Sequence, residues 1–206
     1  MNSPRSSTVG DGGTHVTITT MPGTAARWPD VVSAFGRRGD DPAWCWCRRF
    51  LDRPNETGAA ADNRLALQQE ITTAAVAPGL VAYVDGIPAG WTRVMPRDEL
   101  LGVLANRALR RCLPDDAGAW WVTCFAVQQR YRGIGVAGAL LTAAVAYAQE
   151  HGATAVEGHP VDTDALAADR VSGSALFTGT MRLFVAAGFT EVARTYRSRP
   201  IMRREL

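Results

Sequence analysis

Apolar and polar positions alternate with two different periods along this chain. His15–Thr20 contains the β-branched run Val16, Thr17, Ile18 and Thr19, which suits a first strand. Thr24–Phe35 reads as a helix closed by Gly36. Ala59–Ala77 carries Leu65, Leu67 and Ile71 among good helix formers, and Pro78-Gly79 is expected to stop it. Leu80–Val84 and Ala89–Val94 flank Asp85-Gly86, a strong hairpin signal. Leu100–Leu113 is mixed, with helical character. Trp120–Val127 is nearly all apolar and reads as a buried strand. Gly138–Glu150 is a helix with a His151-Gly152 end, and Ala153–Glu157 is a short strand behind it. Ala175–Ala187 reads as a last helix ended by Gly188, before two closing strands, Thr190–Thr195 and Ile201–Glu205.

Strands and helices in that order predict an α/β fold, a single domain with a mixed sheet of about six to seven strands flanked by helices. One parallel β-α-β crossover sits in its middle. The domain is expected to span 15–206. Residues 1–14 are small and polar, with no apolar run, and read as a disordered tail without a signal peptide.

Composition narrows the function classes. The 206 residues are 47% hydrophobic and the net charge is +2. Nothing in that balance calls for a nucleic-acid partner. The longest apolar run, Ala137–Ala148, falls short of the ~20 residues that cross a bilayer. A cytoplasmic protein without membrane attachment is expected. Four cysteines are present: Cys45, Cys47, Cys112 and Cys124. A structural zinc site needs four ligands, and the Cys45-Trp46-Cys47 cluster has no second close pair, so no metal is expected. That cluster reads as a short extended segment packed near a pocket.

The segment that carries chemistry is Val127–Ala137. It joins a buried strand to an apolar helix through a basic, glycine-rich turn with Arg130, Arg132, Gly133 and Gly135. A helix begins there, so its unpaired N–H groups and the positive end of its dipole suit a phosphate or pyrophosphate. Gly133-x-Gly135-x-x-Gly138, with Glu157 further on, also matches the dinucleotide fingerprint of an oxidoreductase. Against that match, Gln128–Arg132 separate the glycines from the strand, and too little chain follows Glu157 for a doubly wound domain.

Residues 124–141 resemble the pyrophosphate loop of the GCN5-related N-acetyltransferases, the GNAT superfamily. The loop pattern falls on Arg132, Gly135 and Ala137, with Val127 before it and Leu140-Leu141 after. Met181–Phe189 resembles the same family's helix-Gly-Phe motif at Gly188-Phe189. The resemblance implies that Trp120–Val127 and Ala153–Glu157 are parallel strands that splay apart around the pantetheine arm of acetyl-CoA. It implies a coenzyme site made of Phe125, Ala126, Val127, Arg132, Gly133, Ile134, Gly135, Val136 and Ala137, with Phe184 packed on the arm. Phe125 and Val127 would pair with the arm through backbone groups, and Val127 N–H would polarise the thioester carbonyl. The implied function is transfer of an acetyl group to a primary amine by direct attack in a ternary complex. The alternatives are a non-catalytic CoA-binding or sensor domain, or the oxidoreductase above.

The sequence departs from that family in places. Phe184 stands where many relatives have a Tyr that protonates the thiolate, Phe177 where they have an Asn, and Trp120–Val127 holds no carboxylate. The base is then water or a residue from elsewhere, and Glu157 and His159, at the end of the second splayed strand, are the candidates. Aromatic Trp28, Trp44, Trp46, Phe50 and Trp91, with Asp40, Asp41 and Asp52, suggest a groove for a small cationic amine. A homodimer is a family-level expectation.

Overall fold

A computed structural model of the chain describes residues 5–9, 16–41, 44–48, 50–52, 59–166 and 175–206. The strands are β1 (Arg5–Val9), β2 (Val16–Pro22), β3 (Gly79–Val84), β4 (Ile87–Pro96), β5 (Ala119–Val127), β6 (Ala155–Gly158), β7 (Thr190–Tyr196) and β8 (Arg199–Glu205). The helices are α1 (Trp28–Phe35), α2 (Ala60–Thr73), α3 (Leu101–Leu104), α4 (Arg107–Cys112), α5 (Val136–Glu150) and α6 (Met181–Ala186).

These strands form one sheet in the order β1-β2-β3-β4-β5-β6-β8-β7. Only β5 and β6 pair in parallel, and α5 makes the crossover that parallel neighbours require. The mixed sheet with a central β-α-β unit is the one expected. Its additional strand is β1, which lies inside the stretch read as a tail. Arg5–Val9 pair antiparallel with β2, from Arg5↔Thr20 to Val9↔Val16. The edge of β2 presents unpaired backbone groups, and this Ser/Thr-rich segment satisfies them. The rest of 1–14 lies outside the described residues.

Two faces of the sheet carry different layers. α5 is apolar all round and lies on one face, burying Leu140 and Leu141 completely. Each such leucine contributes about 2 kcal/mol of burial. α1 and α2 cover the other face through Val31, Phe35, Leu67 and Ile71, which pack on Val81 and Trp91. α2 ends at Thr73, short of the Pro78-Gly79 stop. The expected last helix is broken in two. A 3-10 turn over Ala175–Thr178 ends at Gly179 (φ 82°), and α6 starts afresh from Thr180, whose Oγ1 accepts from Leu183 N at 3.3 Å. A Cβ on Gly179 would lie 3.0 Å from Phe125 Cε2, so the break lets this turn approach β5 closely.

Candidate functional site

β5 and β6 begin paired and then part. Their register runs from Ala119↔Ala155 to Val122↔Gly158 and stops. β5 continues to Val127 with β4 along one side. Opposite Arg93 and Val94 the register slips, leaving Thr123 as an extra residue. Such a bulge bends its strand and gives a physical cause for the parting. Gln128 N donates to Ala89 O at 2.9 Å. In the antiparallel alternation Ala126 therefore bonds to β4, while Phe125 and Val127 turn N–H and C=O toward the other edge. An open strand edge of this kind accepts an extended ligand as an added strand.

The turn after β5 completes one end of the slot. Gly133 (φ 80°) and Gly135 (φ 97°) take left-handed conformations, and both are exposed. Gly135 is the N-cap of α5, and no side chain caps that helix. Its first N–H groups are left for a ligand, at the positive end of a 15-residue helix. Arg132, also exposed, reaches back so that Nε donates to Val127 O at 3.3 Å. Gln128 Nε2 ties the start of the turn to Ser33 O at 2.5 Å and Pro88 O at 3.0 Å. Ile134 is half-buried against the core, and the Val136 side chain is buried in it.

A cavity of about 610 Å³ runs along this edge. Phe125, Ala126, Val127, Arg132 and Ala137 line its coenzyme-loop side. Phe35, Arg38, Asp41, Trp44, Cys45 and Phe177 line the other. Arg38 and Asp41 are exposed, and the Arg38 guanidinium lies 5.8 Å from the centre of the Trp44 ring. Cys47 and Cys124 form a disulfide in the wall between the two sides. Trp46 (φ 43°) and Cys47 (φ 61°) are in left-handed turn conformations, so the cysteine cluster is not the extended segment expected.

The sequence matches the Acetyltransferase (GNAT) family over residues 42–171, more than half of the chain. This protein belongs to the GNAT family of acetyltransferases. Solved structures of the same fold include the GNAT domain of S. lividans PAT, at 18% identity and TM-score 0.56, covering 98% of this chain and 97% of that one. An uncharacterized Bacillus halodurans protein matches at 17% identity and TM-score 0.53, covering 97% and 90%. The putative acetyltransferase yncA of Salmonella typhimurium, solved with acetyl-CoA, matches at 13% identity and TM-score 0.51, covering 92% and 94%. No curated protein matches the sequence.

Within this GNAT domain the residues expected from sequence separate into two groups. Phe125, Ala126, Val127, Arg132 and Ala137 meet at the cavity, and Gly133–Val136 form the turn beside it. Glu157 and His159 do not line it. Glu157 is fully buried, and its two oxygens accept from Arg97 Nη1 at 2.7 Å and Arg203 Nη1 at 2.6 Å. A carboxylate fully buried between two guanidinium groups and outside the cavity lining does not face an incoming amine, which speaks against the base role expected for it. His159 is 8% exposed, and its Nε2 lies 2.7 Å from Thr195 Oγ1. Burial, and then the Arg199 charge, push the imidazole down to about 4, which makes it a weak base. Phe184 is also fully buried and stands behind Phe125, edge-on, with ring centres 6.3 Å apart. It supports the slot wall from behind the cavity and does not line it.

The acceptor-side aromatics divide likewise. Trp46 is buried against Phe35 and Trp91 lies in the core, while Trp44 and Phe177 reach the cavity. Asp52 is engaged by Arg48 at 2.6 Å. The sequence did not single out Phe35, Arg38, Gly179 and Thr180, which also line the cavity. Their only local signals are a helix end and a glycine before Thr180. Among the described residues no His, Cys, Asp and Glu side chains gather as a metal site, and no helix is long and apolar enough to cross a membrane.

Proposed function

We propose that this protein moves the acetyl group of acetyl-CoA onto the primary amine of a small molecule with an apolar, aromatic-compatible body, by direct attack in a ternary complex. The observation that carries the reading is one continuous cavity. It touches the open edge of β5 and Arg132 on one side and the Phe35–Trp44–Phe177 wall on the other.

The residues present fit the coenzyme. Uncapped N–H groups at the start of α5, two exposed glycines and Arg132 suit a diphosphate. The strand edge at Phe125 and the Val127 N–H suits an extended amide-bearing arm, while Val127 O accepts from Arg132. When bound, acetyl-CoA supplies an activated acyl group. Val127 N–H is placed to hold the carbonyl oxygen where negative charge develops. Among the described lining residues Asp41 is the one carboxylate. It attracts the incoming ammonium and accepts its proton. Arg38 braces the Trp44 ring that forms the neighbouring wall. The cytoplasm, where acetyl-CoA is plentiful, is the matching compartment.

One observation favours a second reading, a CoA-binding domain without catalysis: buried Phe184 offers no proton at the family's tyrosine position. Calorimetry with acetyl-CoA, followed by mass-spectrometric screening of apolar primary amines, tests both. Uptake of acetyl-CoA with a product heavier by one acetyl group supports transfer. Uptake without product across the amines supports the second reading. No uptake overturns both.

A further inference from the structure

Three cysteines line the cavity, Cys45, Cys47 and Cys124, and two of them are bonded to each other. We propose that Cys47–Cys124 is a reversible thiol-exchange site that pins the acceptor wall to the coenzyme strand, with a small dithiol as its reductant. Its consequence for the acceptor rests on the function proposed above.

Among the described residues the wall is anchored by side-chain packing, with Trp46 Nε1 donating to Gly39 O at 3.2 Å, and by few backbone bonds to the rest of the fold. Residues 44–48 and 50–52 contain no helix or strand. Their backbone bonds are mostly local, such as Arg48 N to Cys45 O at 2.8 Å and Leu51 N to Arg48 O at 2.9 Å. Links to the rest of the fold include Gly102 N to Phe50 O at 2.9 Å and Asn63 Nδ2 to Trp44 O at 3.3 Å. Trp46 and Cys47 stand at φ 43° and 61°, a region that non-glycine residues avoid. Such a turn persists only when its surroundings impose it. Here Trp46 is buried on Phe35, with ring centres 4.3 Å apart, and Cys47 is held covalently.

The other end of the bond is placed to matter. Cys124 sits on β5 next to Phe125, whose backbone faces the slot. The bridge spans 77 residues of sequence and joins the acceptor wall to the strand that presents the coenzyme edge. Cys47 and Cys124 both line the cavity and are only 4% and 5% exposed, so the cavity is the route by which a small thiol in the acceptor space approaches their bond. In a glutathione-reduced compartment a disulfide that forms is typically reversible. In the exchange, a thiolate of the dithiol attacks one sulfur and breaks the Cys47–Cys124 bond, giving a mixed disulfide. The second thiolate displaces that sulfur. The dithiol leaves oxidised, and its two protons end on Cys47 and Cys124.

Alkylation of the whole protein, denatured without reductant, gives the first readout by mass spectrometry. Cys45 and Cys112 are expected to label, and Cys47 and Cys124 only after dithiothreitol. Hydrogen exchange of native protein is then compared before and after dithiothreitol. Residues 44–48 and 50–52 are expected to exchange about tenfold faster when reduced, with α5 unchanged. With 2-phenylethylamine as the probe amine, reduction raises its KM about tenfold while acetyl-CoA affinity stays within about twofold. Oxidised glutathione reverses both effects. The Cys47→Ser/Cys124→Ser variant copies the reduced state, and if it does not fold, the reduced wild type carries the comparison. Labelling of all four cysteines without reductant, in protein first incubated with oxidised glutathione, overturns the proposal, as does identical exchange over 44–48 and 50–52 in both states. If the amine is not acetylated at all, the proposed reaction fails, and the exchange comparison still decides on the disulfide.

Discussion

Glu157 on β6 and Arg203 on β8 are direct cross-strand partners, and Arg203 Nη1 donates to Glu157 Oε1 at 2.6 Å. Arg97 holds the second oxygen, and Arg203 also reaches Asp116 Oδ2 at 2.6 Å. The cluster joins β6, β8 and the turns before α3 and β5. Removing the fully buried Glu157 charge leaves Arg97 with backbone carbonyls alone, while Arg203 keeps Asp116 and Glu205. Glu157→Gln is expected to cost about 3–5 kcal/mol of unfolding free energy. Turnover per folded molecule should change by less than about threefold. Urea denaturation and active-site titration check the two numbers. A large loss of turnover with unchanged stability would restore Glu157 as a base.

His159 sets a pH dependence. Its imidazole is pushed down to about 4 in the folded protein, first by burial and then by Arg199, against about 6.5 in the unfolded chain. Between those values the unfolded chain holds a proton that the folded one refuses, so acid favours unfolding. The contribution is present above pH ~6.5 and lost as pH falls to ~4, to the extent of about 3 kcal/mol. Asp116, held low by Arg203, adds its own loss only further into acid. Urea curves at several pH values between 4 and 7 should show this slope, and His159→Gln should flatten it. An unchanged slope in the variant defeats the assignment.

The central unit of this fold was legible because its signals are local. β5, α5 and the turn between them follow from an apolar run, three small residues and two arginines, and all sit where that pattern puts them. The surroundings of Glu157 were not legible because its partners, Arg97 and Arg203, lie 60 and 46 residues away in sequence. No spacing rule links them. The Cys47–Cys124 bridge was hidden for the same reason, and the break at Gly179 because a lone glycine in a helical pattern is usually tolerated. β1 was missed because its small polar residues satisfy backbone bonds on an edge without an apolar face to announce them.

The coenzyme loop can be probed at two glycines in opposite ways. Gly133 has φ 80° and open space around the position a Cβ would take, so Gly133→Ala pays only backbone strain, about 1–2 kcal/mol. Gly135→Asp adds a carboxylate at the uncapped start of α5. It should weaken acetyl-CoA binding by at least about 100-fold, since like charge then meets the diphosphate. Arg132→Ala should weaken it by about tenfold and reduce its salt dependence. Calorimetry at two ionic strengths measures the two binding losses, and urea denaturation the strain at Gly133. Normal acetyl-CoA binding by Gly135→Asp would move the diphosphate elsewhere.

Asp40 and Asp41 make a paired test of the acceptor side. The two are adjacent in sequence and both exposed, but only Asp41 lines the cavity. Replacing either with Asn removes the same charge from nearly the same place, so long-range effects on the protein's field are alike. A local contact with the substrate ammonium is lost in one case alone. Asp41→Asn is therefore expected to lower kcat/KM for a primary amine by about tenfold, the equivalent of ~1.4 kcal/mol at a partly exposed ion pair. Asp40→Asn should leave it within about twofold. If Asp41 also takes the proton, the loss falls on kcat as well as KM. Steady-state kinetics with one amine at saturating acetyl-CoA separate the cases. Equal effects of the two substitutions would mean that the carboxylate acts only through the general field and that the amine docks elsewhere along the wall.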